Sequence, residues 1–504
     1  MNLYAPSEAR TSETLLIYWD KFQEGPNTIQ YKVYVDEKWF SSVFCTDETI
    51  TGLEPDREYS LRVTAEENGQ LLSTAGPIFV RTKPAGARLD VTEFGAVGDG
   101  CRLNTLEIQQ AIDACPEGGT VYVPDGVFRT GALFLKSHMT LWLSEKATLL
   151  GSENLRDYPV YMYRYEGREK PRFASLINMP IILPEDCATA PAWTDVTIRG
   201  GVFNANGVAL FQQELNHPEG NRGSAVALRN IDGLYLYDTT IRQAPFWCLH
   251  IIYSNHVTMN RIKIRNKFDE NGNRYQDLYN GDGIDPDSCG FVNILHSSIE
   301  SQDDCIAIKS GRDEEGRQVG IPSHDIRITN CEFSHGFGAA IGSEMSGGVW
   351  DVLVQDCVFH QSFSLGSVKN CRGRGSIIKR VTYENIHMIN TSTEHDMTKW
   401  FKGAINVDQS YGLDSFSVDE LHPVTEGTPS IREIAFRNIT IDTVTGYAVY
   451  LCGLPENHMR QILLENITAR APHGILVENT DAVVLNQVEV DPSPREESAV
   501  PFRY

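Results

Sequence analysis

Ile434-Ala-Phe-Arg-Asn-Ile-Thr-Ile441 and Ile462-Leu-Leu-Glu-Asn-Ile-Thr-Ala469 share one pattern: apolar residues alternate, an Asn interrupts them, and apolar residues resume. It returns in Leu234-Tyr-Leu-Tyr-Asp-Thr-Thr-Ile241, Ile326-Arg-Ile-Thr-Asn-Cys-Glu-Phe333, Val352-Leu-Val-Gln-Asp-Cys-Val-Phe359 and Val381-Thr-Tyr-Glu-Asn-Ile-His-Met388. Start-to-start separations fall mostly at about 21–38 residues, the period range of solenoids. Each copy is two short strands broken at a polar bend, so one copy cannot bury its own apolar face. Stacked coils can bury it, and an Asn at the same bend of each coil can ladder its amide with the next. The longer blades of about 40–45 residues that a propeller requires are missing. The pattern predicts an all-β chain dominated by a right-handed parallel β-helix over residues 85–504.

Residues 1–84 have a different texture. Leu15-Leu-Ile-Tyr-Trp19, Tyr31-Lys-Val-Tyr-Val35 and Tyr59-Ser-Leu-Arg-Val-Thr-Ala65 alternate at period two, with turn residues between them. That predicts a small antiparallel sandwich. Trp19, followed by Thr51-Gly-Leu-Glu-Pro-Asp-Arg-Glu-Tyr59 leading into a strand, resembles a fibronectin type III module with its tyrosine corner. Thr82-Lys-Pro-Ala-Gly-Ala87 reads as the linker, and Asn104 as the N-cap of a helix running to Cys115.

Composition narrows the function. The 504 residues are 41% hydrophobic and 22% charged, which excludes disorder, collagen and coiled coil as the main theme. A net charge of −23 argues against nucleic acid and anionic membrane as partners. No apolar stretch reaches the roughly 18 residues of a bilayer span. Met1-Asn-Leu-Tyr-Ala-Pro lacks the order of a secretory signal, so a cytoplasmic location is expected, with a secreted or periplasmic one if a signal has been removed. Eleven cysteines without CxxC pairs suggest neither a disulfide framework nor a zinc motif, and no cofactor or metal is expected. Oligomeric state is not readable.

Acidic residues concentrate in Asn280-Gly-Asp-Gly-Ile-Asp-Pro-Asp-Ser288 and Ser301-Gln-Asp-Asp-Cys-Ile-Ala-Ile-Lys-Ser-Gly311. Asp282 and Asp303 are 21 residues apart, close to one short coil. With coils about 4.8 Å apart along the axis, Asp282 is expected beside the Asp303–Asp304 pair. Three carboxylates so close repel one another, which raises at least one pKa and suits acid–base hydrolysis of an acetal. Turn capping or a calcium site is the competing reading of the same residues.

Asn280-Gly-Asp282 is similar to the Asn-Thr-Asp element, and Gln302-Asp-Asp304 to the Asp-Asp element, of the polygalacturonase family of pectin-degrading glycoside hydrolases. Phe94-Gly-Ala-Val-Gly-Asp-Gly100, Ala244-Pro-Phe-Trp-Cys-Leu-His250, Ile341-Gly-Ser-Glu-Met-Ser-Gly-Gly348 and Gly453-Leu-Pro-Glu456 resemble its bacterial exo-acting branch. The resemblance implies an inverting hydrolase of α-1,4-galacturonosyl linkages in pectin or its oligosaccharides. Asp303 would be the general acid, and Asp282 and Asp304 would activate water. Inversion implies carboxyl groups about 6.5–9.5 Å apart.

Two departures qualify this. Gly336-Phe337-Gly338 stands where the family has Gly-His-Gly, moving the histidine to His335. Ser367-Val368-Lys369 stands where it has Arg-Ile-Lys, so Lys369 remains and the arginine is lost. Arg372 and Arg374 are the candidates to replace it. The expected set is therefore Asp282, Asp303, Asp304 and His335 for catalysis, with Lys369, Lys309, Arg372, Phe337, Trp400 and Tyr411 for substrate binding. Trp247 reads as core, His250 as structural, and Asp157–Arg172 as a loop closing one end of a groove. Another pectic backbone such as rhamnogalacturonan, or a catalytically silent carbohydrate-binding relative, are the alternatives; a pectate lyase would need an arginine in the acid cluster.

Overall fold

The computed structural model describes residues 1–22, 28–180, 192–276, 278–395, 397–413 and 416–492. The N-terminal strands form two antiparallel sheets. Leu3–Tyr4, Leu15–Trp19 and Asp47–Ile50 make one, and Gln30–Val35, Lys38–Val43, Glu58–Glu67 and Gln70–Arg81 the other. Trp19, Tyr31, Val33, Leu61 and Val63 are buried between them. The Tyr59 hydroxyl accepts the Glu54 N–H at 2.8 Å, fixing the corner that leads into the strand beginning at Glu58.

From Arg88 onward the chain coils into a parallel β-helix. An eleven-stranded parallel sheet runs from Leu133–Phe134 to His473–Glu478, and a second, larger sheet wraps the remaining faces. The repeated Asn or Asp occupies the bend. Asp238, Asn330, Asp356, Asn385, Asn438 and Asn466 all have positive φ, between 50° and 58°. Short polar side chains tolerate this left-handed conformation best, which is why the repeat places them there. Arg261 and His296 take the same bend in the coils between the copies beginning at Leu234 and Ile326. The predicted amide ladder is seen where Asn466 Nδ2 donates to Asn438 Oδ1 at 2.8 Å. Inside, stacked aliphatic rows such as Ile284, Ile306, Ile405 and Val449 fill one continuous core.

The helix Thr105–Ala114 covers the N-terminal end of that core with Ile108, Ala111 and Ile112. Asn104 precedes it, but its side chain does not cap the helix. The amide instead bonds Val97 N–H and the carbonyls of Val97 and Arg102, tying down the preceding loop. The sandwich lies against the outside of the solenoid. Ala9 and Leu16 pack on Tyr235, Tyr237 and Leu295, and Lys21–Asp356 at 2.6 Å and Arg327–Asp20 at 3.1 Å flank the contact. Among the described residues ten cysteines are free thiols, and no helix is long and apolar enough to cross a membrane.

Candidate active site

Strand register brings the acids together. In the eleven-stranded sheet Leu249 pairs with Ile284, Ile284 with Ile306, and Ile306 with Ala339. The residues two positions earlier, Trp247, Asp282, Asp304 and Phe337, therefore form a row along the axis. The offset between the acid-bearing coils is 22 residues, not 21, so Asp282 stands level with Asp304. Asp303 lies one residue before that row, in a bend. There the Ser301 hydroxyl and the Phe337 N–H donate to its carbonyl, and its carboxylate accepts the Asp304 N–H at 3.0 Å.

One carboxylate oxygen from each of Asp282, Asp303 and Asp304 lies within 4.8 Å of the others. This is an oxygen-to-oxygen separation, and so shorter than the carboxyl spacing expected of inverting enzymes. A single water making ordinary hydrogen bonds of about 2.8 Å can bridge such a gap. Asp282 and Asp304 are buried, whereas Asp303 is only half-buried. Burial, then the charges of Asp285 and Asp303, push the Asp282 carboxyl well above its usual range. Asp304 is raised to about 6 by burial, against the opposing pull of Lys369.

Two lysines supply the counter-charge. Lys369 Nζ donates to Asp304 Oδ2 at 2.6 Å. Lys309 Nζ stands 3.6 Å from both Asp282 and Asp285, 3.3 Å from Glu344, and 4.4 Å over the Trp247 ring. Burial opposes ionisation of Glu344, yet Lys309, Arg374 and Arg312 bring its pKa down to about 2. These two ammonium groups offset part of the charge of the acid cluster. Asp303 forms no ion pair among the described residues, unlike its two neighbours.

The cluster forms part of the floor of a cavity of about 650 Å³. Of the expected residues, Asp282, Asp303, Asp304, Lys309, Lys369, Phe337, Trp400 and Tyr411 all line it. Phe337 stacks on Phe401 with centroids 3.6 Å apart, and Lys369 lies 4.7 Å over the same Phe401 ring. Trp247 also lines the cavity, so its ring is both packed and exposed to any ligand. His250 is fully buried, lowered to about 4 by desolvation, and stands 3.5 Å from Asp287.

Two of the expected residues lie outside the cavity lining. His335 is not among the lining residues: at a left-handed bend (φ 60°) its ring meets the edge of Phe268, and burial brings its pKa to about 4. Arg372 is held away by Glu456 at 2.6 Å, while Arg374 does line the cavity. Ser367, at the position of the lost arginine, is buried and accepts the Asn406 amide at 3.1 Å.

Sequence reading missed Glu166, Arg312, Glu344 and His395, which also line the cavity. Arg312 follows directly on the Ser301–Gly311 stretch, and Glu344 lies inside the Ile341–Gly348 motif, where sequence alone gives it no role. His395 lies in the insertion between strands Ile377–Asn390 and Gly403–Asp408, where no repeat signal exists. Glu166 is at the tip of an antiparallel hairpin, Val160–Tyr165 with Arg168–Phe173. The hairpin is anchored by buried Arg164, which donates to Asp287 at 2.6 Å, and by Tyr165 stacked on Phe246. At its tip the Gly167 carbonyl accepts the Arg312 N–H at 3.0 Å. A Cβ at Gly167 would come within 2.7 Å of Arg312 Cβ, so the turn has room only for glycine.

The chain matches the family described as glycosyl hydrolases family 28 over residues 187–483. It is 25% identical to the exo-poly-α-D-galacturonosidase of Dickeya chrysanthemi, over 88% of this chain and 82% of that protein. It is 31% identical to a probable polygalacturonase of Vitis vinifera, over 75% of this chain and 73% of the relative. Its fold is similar to the family 28 exopolygalacturonase structure from Yersinia enterocolitica, with a TM-score of 0.82, 22% identity, and coverage of 99% and 97% of the two chains. Over half its length within that family model, and with this level of similarity to its members, the chain belongs to the family 28 glycosyl hydrolases and is a glycosidase.

Proposed function

We propose that the protein is an exo-acting, inverting hydrolase of α-1,4-linked galacturonic acid, releasing sugar from a chain end. The carrying observation is the division of labour among three converging acids. Asp282 and Asp304 face ammonium groups that oppose the upward push of burial, and Asp304, raised only to about 6, is the ionised member of the water-activating pair at neutral pH. Asp303 lacks an ion-pair partner among the described residues and is the most accessible of the three, which suits the proton donor. Asp303 gives its proton to the glycosidic oxygen as the bond to the anomeric carbon breaks. Water held by Asp282 and Asp304 adds to the opposite face and loses its proton to that pair. Asp285, fully buried 3.6 Å from Lys309, is likewise pushed upward by burial, with Lys309 and a hydrogen bond shared with Asp282 opposing the rise.

The exo mode is supported by walls on both sides. The hairpin tip and Phe246 bound the cavity toward the N-terminal coils, and Trp400, Phe401 and Tyr411 toward the C-terminal coils. Such a pocket takes a chain end more readily than an uninterrupted polymer. Arg312 is the candidate reader of the sugar carboxylate in place of the lost arginine. Its contacts to Glu166 and Asp313 are long, 3.8 and 3.5 Å, whereas Arg374 is committed to Asp313 and Ser343.

Product analysis tests the proposal. Galacturonate monomer should appear from both digalacturonate and polygalacturonate, with the newly formed reducing end initially in the inverted configuration. Release of longer oligomers as first products defeats the exo reading, and release from rhamnogalacturonan fragments alone defeats the substrate.

A further inference from the structure

We propose that Cys45, Asp47 and His296 form a binding site for a thiophilic divalent cation, Zn²⁺ in particular, at the seam between sandwich and solenoid. One sulfur, one imidazole nitrogen and one carboxylate oxygen lie within 4.8 Å of one another. Asp47 opens the strand Asp47–Ile50 and Cys45 lies two residues before it, whereas His296 comes from the solenoid, 249 positions beyond Asp47. No local spacing could announce such a set. His296 occupies the left-handed bend, with φ 47°, where most of the repeat copies carry Asn or Asp and the preceding coil carries Arg261, and its Nδ1 lies 2.7 Å from Asp47 Oδ2. Asn330 Nδ2 donates to the other Asp47 oxygen at 2.5 Å and so orients the carboxylate, as outer-shell partners of metal ligands do.

The donor chemistry selects the ion. Thiolate with imidazole and carboxylate suits tetrahedral zinc, while calcium and magnesium prefer oxygen donors. The His296 side chain is 40% exposed, which leaves a fourth position open to water. Three ligands from two units would staple the sandwich to the catalytic solenoid. Binding expels protons: the Cys45 thiol proton and the imidazolium proton of His296 leave to solvent as the sulfur and nitrogen coordinate. His296 Nδ1 already meets Asp47 Oδ2 at 2.7 Å, so an incoming ion displaces that contact as it coordinates. Arg261, which senses the Asp47 charge, is the other titratable group facing the cluster, and Asp238 pairs with it.

Cobalt titration of the full chain tests the site. One Co²⁺ per chain should bind with thiolate-to-metal charge-transfer and tetrahedral d–d absorption, at least about tenfold more tightly at pH 7.5 than at pH 6 because protons are displaced. Zn²⁺ should bleach the bands. Cys45→Ser should abolish the charge-transfer band and His296→Ala should weaken binding at least tenfold, while Cys101→Ser, which removes an exposed thiol, should leave both unchanged. Zn²⁺ should raise the unfolding temperature of the parent but not of Cys45→Ser, whose retained hydrolytic activity reports intact folding. Absence of absorption in the parent, or its persistence in Cys45→Ser, overturns the site.

Discussion

Lys369 Nζ and Asp304 Oδ2 meet at 2.6 Å although they belong to coils two steps apart in the stack, both buried beneath the cavity. The contact sets when Asp304 can carry charge. With the lysine present its pKa is about 6. Lys369→Met leaves the carboxylate buried without this partner, so its pKa climbs and the rising acid limb of kcat/KM moves to higher pH. Removing one member of a buried pair should also cost about 3–5 kcal/mol of stability. A pH profile and a denaturant curve check both, and an unmoved limb rejects the pairing as a determinant of basicity.

The cluster costs stability to maintain. A carboxyl whose folded pKa lies above its unfolded value binds more protons when folded. The chain therefore loses stability as pH rises from the unfolded value of 3.8 through the folded value, about 6 for Asp304. Asp282 is raised in the same direction. Asp282→Asn should consequently abolish turnover yet raise the unfolding temperature at pH 7 by about 1–2 °C. The gain should vanish below pH 3.8, where the acid is protonated in both states.

Asp285 offers a sharper separation of roles. If it holds its proton, the neutral isostere changes little. Asp285→Asn is expected to keep kcat/KM within about fivefold and to leave the pH profile in place, whereas Asp303→Asn should lose about 10²–10⁴-fold. A large loss in Asp285→Asn would mean that an ionised Asp285 takes part in the chemistry.

The solenoid and its three acids were legible because both depend on period. A repeated Asn or Asp marks the left-handed bend, and coil-length spacing marks lateral neighbours. Spacing gives the coil and so places Asp282 beside the Asp303–Asp304 pair, and the strand bridge Ile284–Ile306 adds the register that sets it level with Asp304. His335 lies outside the cavity lining because a motif histidine displaced by two positions crosses a bend, and its ring then packs against Phe268. Arg312, Glu344 and Glu166 depend on where the hairpin tip lands, a contact between distant segments that leaves no periodic trace.

That landing point supports the last prediction. Arg312 holds the Gly167 carbonyl through its backbone, so replacing the side chain leaves the wall standing. Its guanidinium lines the cavity, and its ion pairs among the described residues, to Glu166 and Asp313, are long. Arg312→Gln should therefore retain kcat near the parent value while KM for a galacturonate oligomer rises about 10–100-fold, the worth of a charge-assisted hydrogen bond. The parent should discriminate against an oligomer whose terminal carboxylate is methyl-esterified, and the variant should bind both forms alike. Equal KM values for the parent and the variant on the free acid would show that another cation reads the carboxylate, and Arg374 would be the next to replace.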